Sequence, residues 1–273
     1  SAALALHPNI KCLFITNALG FCADLEVIAE MCRGRGIILI EDNCESLGSE
    51  HAGRKLGNFG IASTFSTFVG HHLSTVEGGL ICTPDDDLVD ALRVARAHGW
   101  NRNLSEEKRS SLRAAHDVST FADPYTFYDL GFNLRPTEIT GVIGLHQIPY
   151  LNEIVSKRSE HYHQYMDAAL QNADLLPPHV EHMDTISNFA FPVITTSPEL
   201  REPLIERFRA GKVEIRPLIS GNILRQPFFR ALSDQDVSET PNSSQLHDCA
   251  FYIPNHPDLQ HSELLRLTDL LRG

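Results

Sequence analysis

Along the first third of the chain, apolar positions alternate between continuous runs and helical spacing. "IKCLFITNAL" is an unbroken β-branched and aromatic run, which predicts a buried strand. "ADLEVIAEMCRGRG" then sets Leu25, Ile28, Ala29 and Cys32 at helical spacing and closes on basic residues and Gly36. "GIILIEDN" predicts a second short buried strand that stops abruptly in acid. "STFSTFV" and "GGLICTP" predict a strand pair around a loop that holds His71-His72. "DDDLVDALRVARAHGW" predicts a helix with acid in its first turn and basic residues further on, as the helix dipole favours. Strand–helix alternation of this kind predicts an α/β fold with a mostly parallel sheet, where ligands collect beyond the carboxyl ends of strands.

From Asn101 to Tyr128 the pattern dissolves into a polar, charged stretch, which predicts a long functional or mobile loop. "RPTEITGVIGLHQIPYLNEIVSKRSEHYHQYMDAAL" predicts a long helix, with Pro136 near its start and a kink or break at Pro149. The segments "FAFPVITT", "SPELREPLIERFRAG", "VEIRPLI" and "HSELLRLTDLLRG" predict a smaller α+β domain. The expected boundary lies near residue 150, giving a large domain over 1–150 and a small one over 151–273. The opening "SAALALHPNIK" reads as the tail of a helix and a turn, so the chain is expected to enter its domain partway.

With 273 residues and a formal charge of -12, the chain has room for a sizeable core and no general affinity for nucleic acid or anionic membranes. A local basic pocket for one phosphorylated ligand stays compatible with that balance. No apolar run approaches a bilayer span and nothing at the start resembles a signal peptide, so a soluble, cytoplasmic protein is expected. Cysteines 12, 22, 32, 44, 82 and 249 form no CxxC and no zinc spacing, so buried reduced thiols are expected.

Several residues carry candidate chemistry. Asp42 closes a predicted strand, with Glu45 three residues on; it serves either a ligand or the cap of the next segment. Neighbouring residues of an extended chain face opposite ways, so His71 and His72 together make a poor metal site. Ser66 is a phosphate-donor candidate. Asn133 and Arg135 could present donors to phosphate or sugar hydroxyls, or serve as a cap and a surface cation. Arg216, with the Gly221-Asn222 turn and Arg225, makes a second cationic patch.

In order, these pieces resemble the DegT/DnrJ/EryC1/StrS group of sugar aminotransferases, fold type I enzymes that use pyridoxal phosphate. That group has a strand ending in Glu-Asp, a "SFxxxK…EGG" loop that supplies a tethering lysine, and "GxNxR" before a long helix. Here the counterparts are Glu41-Asp42, Ser66 through Gly79, and Gly131-Phe132-Asn133-Leu134-Arg135. The resemblance implies a partial large domain followed by a small α+β domain, and an N-terminal segment in the family that precedes this start. Aligning Glu77-Gly78-Gly79 with the family's EGG puts His71 where the aminotransferases carry lysine, and the five lysines (11, 55, 108, 157 and 212) all lie outside the loop. Histidine there resembles the deoxysugar 3-dehydratase branch, most closely the dehydratases of GDP-4-keto-6-deoxy-D-mannose.

The resemblance implies a cofactor cycling between pyridoxal and pyridoxamine phosphate, glutamate as amino donor, and loss of the sugar's 3-hydroxyl with release of ammonia, in colitose-type dideoxysugar biosynthesis. His71 would move protons, a task its side chain suits at neutral pH. Asp42, Glu45, Ser66 and Asn133 would bind the cofactor, Asn133 across a homodimer interface. Arg102, Arg135 and Arg216 would contact the nucleotide-sugar substrate. No cysteine occurs between Cys82 and Cys249, which leaves out the ligands for the iron-sulfur cluster of the branch's other arm. Three alternatives remain at this stage: a sugar-nucleotide aminotransferase, a truncated non-catalytic relative, and a His-His metal site completed by His98.

Overall fold

The computed structural model describes residues 9–232, 236 and 240–273. The helix tail expected in the opening residues lies outside the described residues. Strand β1 (Cys12–Thr16) runs parallel to β2 (Ile38–Asp42), β2 runs parallel to β5 (Ala62–Ser66), and β5 pairs antiparallel with β6 (Gly79–Cys82). Helix α1 (Leu25–Gly34) connects β1 to β2 and packs Ala29 and Cys32 on Leu39, as a parallel crossover requires. Asp24 caps it by accepting a hydrogen bond from the Val27 amide at 3.1 Å. The mostly parallel sheet and the strand pair around the histidine loop are as expected, but β1 is not buried: Phe14 is 57% exposed, and Leu80 and Ile81 of β6 are each 54% exposed.

Strands β3 (Glu50–His51) and β4 (Arg54–Lys55) form a small hairpin, and β3 also pairs with β7 (Met183–Thr185), far along the chain. Helix α2 (Asp86–Ala95) follows β6. The stretch 101–128 differs from expectation, since it contains helix α3 (Glu106–Ala115), capped by Ser105. None of its residues is buried, so no apolar stripe announces it; polar bonds dock it instead. Arg109 and Arg113 reach Asp123 at 3.0 and 3.2 Å, and the same carboxylate accepts from Asn101 at 2.6 Å and from the Tyr128 hydroxyl at 2.7 Å. Burial pushes the Asp123 carboxyl up, but these hydrogen bonds outweigh it and hold its pKa well below the usual range.

Helix α4 (Glu138–Gln147), a tight turn over Ile148–Tyr150, and helix α5 (Leu151–Ala169) form the long helical passage, interrupted around Pro149, where the sequence predicts a kink or break. Beyond it, β8 (Ala190–Ile194), helix α6 (Pro198–Ala210), β9 (Arg216–Pro217), helix α7 (Pro241–Cys249), β10 (Ala250–Pro254) and helix α8 (His261–Arg272) complete the chain. Their sheet has the antiparallel order β8-β10-β9. The main core sits here: Tyr162 and Tyr165 of α5, Phe208 of α6 and Leu271 of α8 pack on Phe191, Phe251 and Ile253 of the sheet. The strand expected over "VEIRPLI" shrinks to two residues.

The cysteines depart from expectation as well. All six are free, but only Cys32 and Cys249 are buried; Cys12 and Cys82 are exposed on the open strands.

Candidate active site

The site forms where the carboxyl ends of β2 and β5 meet the C-terminal sheet. At the end of β2, consecutive acids take opposite faces. Glu41 turns inward, fully buried, and accepts from the amides of Gly57, Phe59 and Gly60 at 2.8, 2.7 and 2.9 Å. It fixes the loop that leads into β5. Asp42 turns the other way, and its Oδ1 accepts from the Cys44 amide and from the Thr64 hydroxyl, both at 3.1 Å. The register that pairs Asp42 with Thr64 is what brings that hydroxyl to the acid. Glu45 accepts from the Leu19 amide at 2.7 Å; burial raises its pKa, partly offset by that bond.

Ser66 ends β5, where its hydroxyl accepts from the Phe68 amide at 3.1 Å and keeps its own proton to donate. The loop that follows is held at both ends. Thr67 and Thr75 share a 2.6 Å hydroxyl contact, and Gln147 of α4 brackets the Ser74 backbone, accepting from its amide at 2.8 Å and donating to its carbonyl.

Within this braced loop the two histidines separate. His72 is 4% exposed, and its Nε2 donates to the Ser187 carbonyl at 2.9 Å, stapling the loop to the segment before β8. Burial, reinforced by Arg158, pushes its pKa down to about 3, so it stays neutral. The sign follows directly. The unfolded chain binds a proton at this histidine near pH 6.5 and the folded chain does not, so stability falls as pH drops from about 6.5 towards about 3. His72→Gln is expected to flatten that part of the stability–pH curve by on the order of a few kcal/mol, as read in urea melts at pH 7 and pH 5.

His71 is half-buried and lies edge-on to Phe68 and Phe189, with centroids 5.9 and 5.1 Å away. Its Nδ1 is enclosed without a protein partner. Burial lowers its pKa, Arg158 lowers it further, and the nearby Asp42 charge pulls the other way. The balance leaves a neutral imidazole, a base at neutral pH. A cavity of about 310 Å³ opens beside it, lined also by Tyr150, Lys157, Arg158 and His256. The structure thus places one lysine, Lys157, on the cavity of His71, although the sequence search within the loop found none. Its ammonium sits 2.8 Å from Glu153, which raises its pKa and keeps it protonated.

Asn133, Arg135 and Arg102 form a separate cluster. Asn133 bridges to Ala97, and Gly99 and Gly131 let the two segments touch, since a Cβ at either would run into the other's backbone. Trp100, the single tryptophan of the chain, stands at the centre. The Arg102 guanidinium lies 3.7 Å above its ring and 5.1 Å from Tyr125, and that of Arg135 lies 6.0 Å from the indole. Arg102 also donates to the Pro124 carbonyl at 2.8 Å, so the Asp123 junction and the arginine share one support. No hydrogen bond among the described residues links Asn133 to Asp42, Ser66 or His71. The third arginine, Arg216, lies apart from this pair and is bonded to Glu214 at 2.6 Å.

One expected feature is corrected, and the alternative of a metal site completed by His98 gains no support. Arg225 is held by Asp248 at 2.5 and 3.0 Å, so it adds no open cationic patch. His98 stacks on Trp100 at 4.7 Å, and no group of three metal-ligating side chains occurs among the described residues. Sequence reasoning missed Trp100, Tyr125, Lys157 and Arg158. Of these, only Trp100 gave a signal, as the lone indole beside Arg102 in "HGWNRN".

Chemically, the donor set suits an aromatic cation with a phosphate arm. A carboxylate faces one end, a free hydroxyl closes the next strand, and an imidazole with an unpartnered buried nitrogen stands between aromatic rings. The model of the DegT/DnrJ/EryC1/StrS aminotransferase family matches residues 1–272. The chain is 30% identical over 269 residues to the GDP-4-keto-6-deoxy-D-mannose 3-dehydratase of Escherichia coli, covering 98% of this chain and 69% of that enzyme. It is 26% identical to the GDP-perosamine synthase of Caulobacter vibrioides, covering 96% and 65%. A crystal structure of GDP-4-keto-6-deoxymannose-3-dehydratase with bound GDP-perosamine superposes with a TM-score of 0.87 at 30% identity, covering 99% of this chain and 70% of that one. The fold is that of pyridoxal phosphate-dependent aminotransferases.

Proposed function

This chain belongs to the DegT/DnrJ/EryC1/StrS family, and from that membership we propose that the protein removes the 3-hydroxyl of a nucleotide-linked 4-keto-6-deoxyhexose. The substrate is GDP-4-keto-6-deoxy-D-mannose, glutamate is the amino donor, and ammonia is released; the pathway is cytoplasmic, colitose-type dideoxysugar synthesis for a lipopolysaccharide O-antigen. The single observation that carries this reading is a neutral, partly buried His71 in the loop between β5 and β6, near enough to Asp42 to feel its charge, with no lysine in that loop.

Pyridoxal phosphate fits the donor set, and in its amine form it would supply both the nitrogen that joins the sugar's C4 and an electron sink for loss of the C3 oxygen. Each protein group has a separate task. Asp42, oriented through Thr64 and the Cys44 amide, would keep a proton on the ring nitrogen by accepting from it. Ser66 would donate to the phosphate, and Glu45 would help to hold the cofactor. His71 takes and returns the proton; a proton at Nδ1 is not shared with the scaffold, because no protein atom competes for it. Arg102 and Arg135, steadied on Trp100, receive the nucleotide diphosphate. Asn133 serves the second subunit of a homodimer. Support for that dimer comes from α4, where Ile139 and Leu145 stand 71% and 72% exposed.

The competing reading is a sugar-nucleotide aminotransferase, as the similarity to a GDP-perosamine synthase allows. The loop between Ser66 and Gly79 speaks against it, since it carries His71 and no lysine. The test incubates the full-length protein with pyridoxal phosphate, glutamate and GDP-4-keto-6-deoxy-D-mannose. One ammonia and one 2-oxoglutarate per sugar deoxygenated supports the proposal; a stable 4-aminosugar overturns it. Arg102→Ala is expected to raise the KM for the nucleotide sugar about tenfold or more, the value of one charge-assisted contact, with kcat less affected.

A further inference from the structure

A buried cation without an acid holds the segment that walls His71. Arg158, in the middle of α5, is 2% exposed, and among the described residues no carboxylate comes within ion-pair distance of it. Buried guanidiniums ordinarily have an anion beside them. Burial alone lowers the pKa of this one, to about 10, so the charge persists at neutral pH. Backbone oxygens stand where the acid would: Nη1 donates to the carbonyls of Asn188, Phe189 and Asn255 at 3.4, 3.0 and 2.5 Å. Asn255 answers, donating through Nδ2 to the carbonyls of Arg158 and Asn188 at 3.0 and 3.2 Å. Three stretches of chain are thus tied at one point: α5, the segment before β8, and the residue that follows β10.

The Phe189 ring stands edge-on to the His71 imidazole at 5.1 Å and to Tyr252 at 6.2 Å. Ser187 receives the bond from His72, so the segment 187–189 is held by the histidine loop at one end and by Arg158 at the other. The charges around the imidazole mostly cancel. Lys157 lies 2.8 Å from Glu153, His256 lies 3.8 Å from Asp258, Tyr150 borders the same cavity, and His72 is neutral. Asp42 and Arg158 are left. Under the proposed function a protonated ring nitrogen would match Asp42, which leaves the guanidinium as the unmatched charge.

We propose that Arg158 is a positioning residue for His71: its carbonyl bonds fix the 187–189 wall against which the imidazole stands, and its unpaired charge acts on the same ring. A cation there opposes protonation of the imidazole, which must be neutral to take a proton. Burial of His71 works in the same direction, and Arg158 adds to it. The inference rests on the reading under Proposed function for the reaction that His71 serves.

The test reads the ring itself before any turnover. In cofactor-free full-length protein with labelled histidine, the His71 resonance, assigned by its loss in His71→Asn, is titrated by NMR; the rate of deoxygenation is then followed against pH in the loaded enzyme. Arg158→Gln removes the charge and is expected to raise the His71 midpoint by about one pH unit, the effect of one charge at close range. The acid limb of the rate should move with it. Arg158→Lys keeps the charge but ends a bond short of the carbonyls. It is expected to keep the wild-type midpoint while the plateau rate falls about tenfold, as a misplaced reacting group dictates. A midpoint unmoved in Arg158→Gln, or moved equally in both variants, overturns the proposal. If Arg158→Gln does not fold, Arg158→Lys decides, and a raised midpoint or a wild-type plateau there overturns it. A protein that deoxygenates the sugar while its His71 midpoint ignores Arg158 sinks this inference alone. Midpoints that respond as described in a protein that yields a 4-aminosugar sink only the dehydratase reading.

Discussion

Replacing His71 with lysine is expected to abolish deoxygenation of the sugar while leaving the fold unchanged. The imidazole sits half-buried against Phe68 and Phe189, in a loop braced by Gln147, by the Thr67–Thr75 contact and by His72. None of those braces uses the His71 side chain, so the loop should survive the change. What disappears is a neutral base at neutral pH. General acid–base groups contribute about 10²–10⁴-fold to a rate, which sets the expected loss. A second readout separates this from a merely structural effect: a lysine amine in the His71 loop should hold the cofactor covalently through dialysis, and the wild-type protein is expected to lose it. If the lysine variant removes the 3-hydroxyl at the wild-type rate, His71 is not the proton carrier.

Asp123→Ala is expected to give the largest loss of stability of any single change outside the main core. The carboxylate is 1% exposed and gathers Asn101, Tyr128, Arg109 and Arg113. Removing it leaves the fully buried Asn101 amide and two partly solvated guanidiniums without their acceptor. Breaking a buried pair in this way costs about 3–5 kcal/mol, and solvation of the arginines brings the expected figure to about 2–3 kcal/mol. Because the Asp123 pKa is depressed, its contribution is complete above the unfolded carboxyl value near pH 4 and fades as pH falls below it. Hydrogen exchange should show α3 losing protection first, since it buries no residue of its own. Unchanged protection in α3 would show that the helix is held by something other than this carboxylate.

The two variants mark what the sequence made legible and what it did not. The strands and helices that enclose the site announce themselves through apolar period, and Asp24, Asp85 and Thr137 cap the helices where their residue types suggest. Asp42, Ser66 and His71 were visible because they end strands or interrupt them. Helix α3 was not, because "EEKRSSLRAA" has no apolar face and its anchor, Asp123, lies beyond its end in a stretch that looks like loop. Arg158 was hidden for the opposite reason. A charged residue within a helix of mixed polarity normally faces water, and only the convergence of the Asn188, Phe189 and Asn255 carbonyls shows that this one does not. Likewise the exposure of β1 and β6 is a property of which neighbours cover a strand, and an apolar run does not record its neighbours.

The measurement that bears most directly on the account is the mass of the wild-type full-length protein after treatment with pyridoxal phosphate and borohydride, followed by peptide mapping. An imidazole cannot be reductively joined to the cofactor, so the peptide that carries His71 should come through with no added mass and no lysine of this chain should be labelled stoichiometrically. Cofactor fixed stoichiometrically on Lys157 would contradict the account, because it would make an amine, not His71, the group that meets the ring.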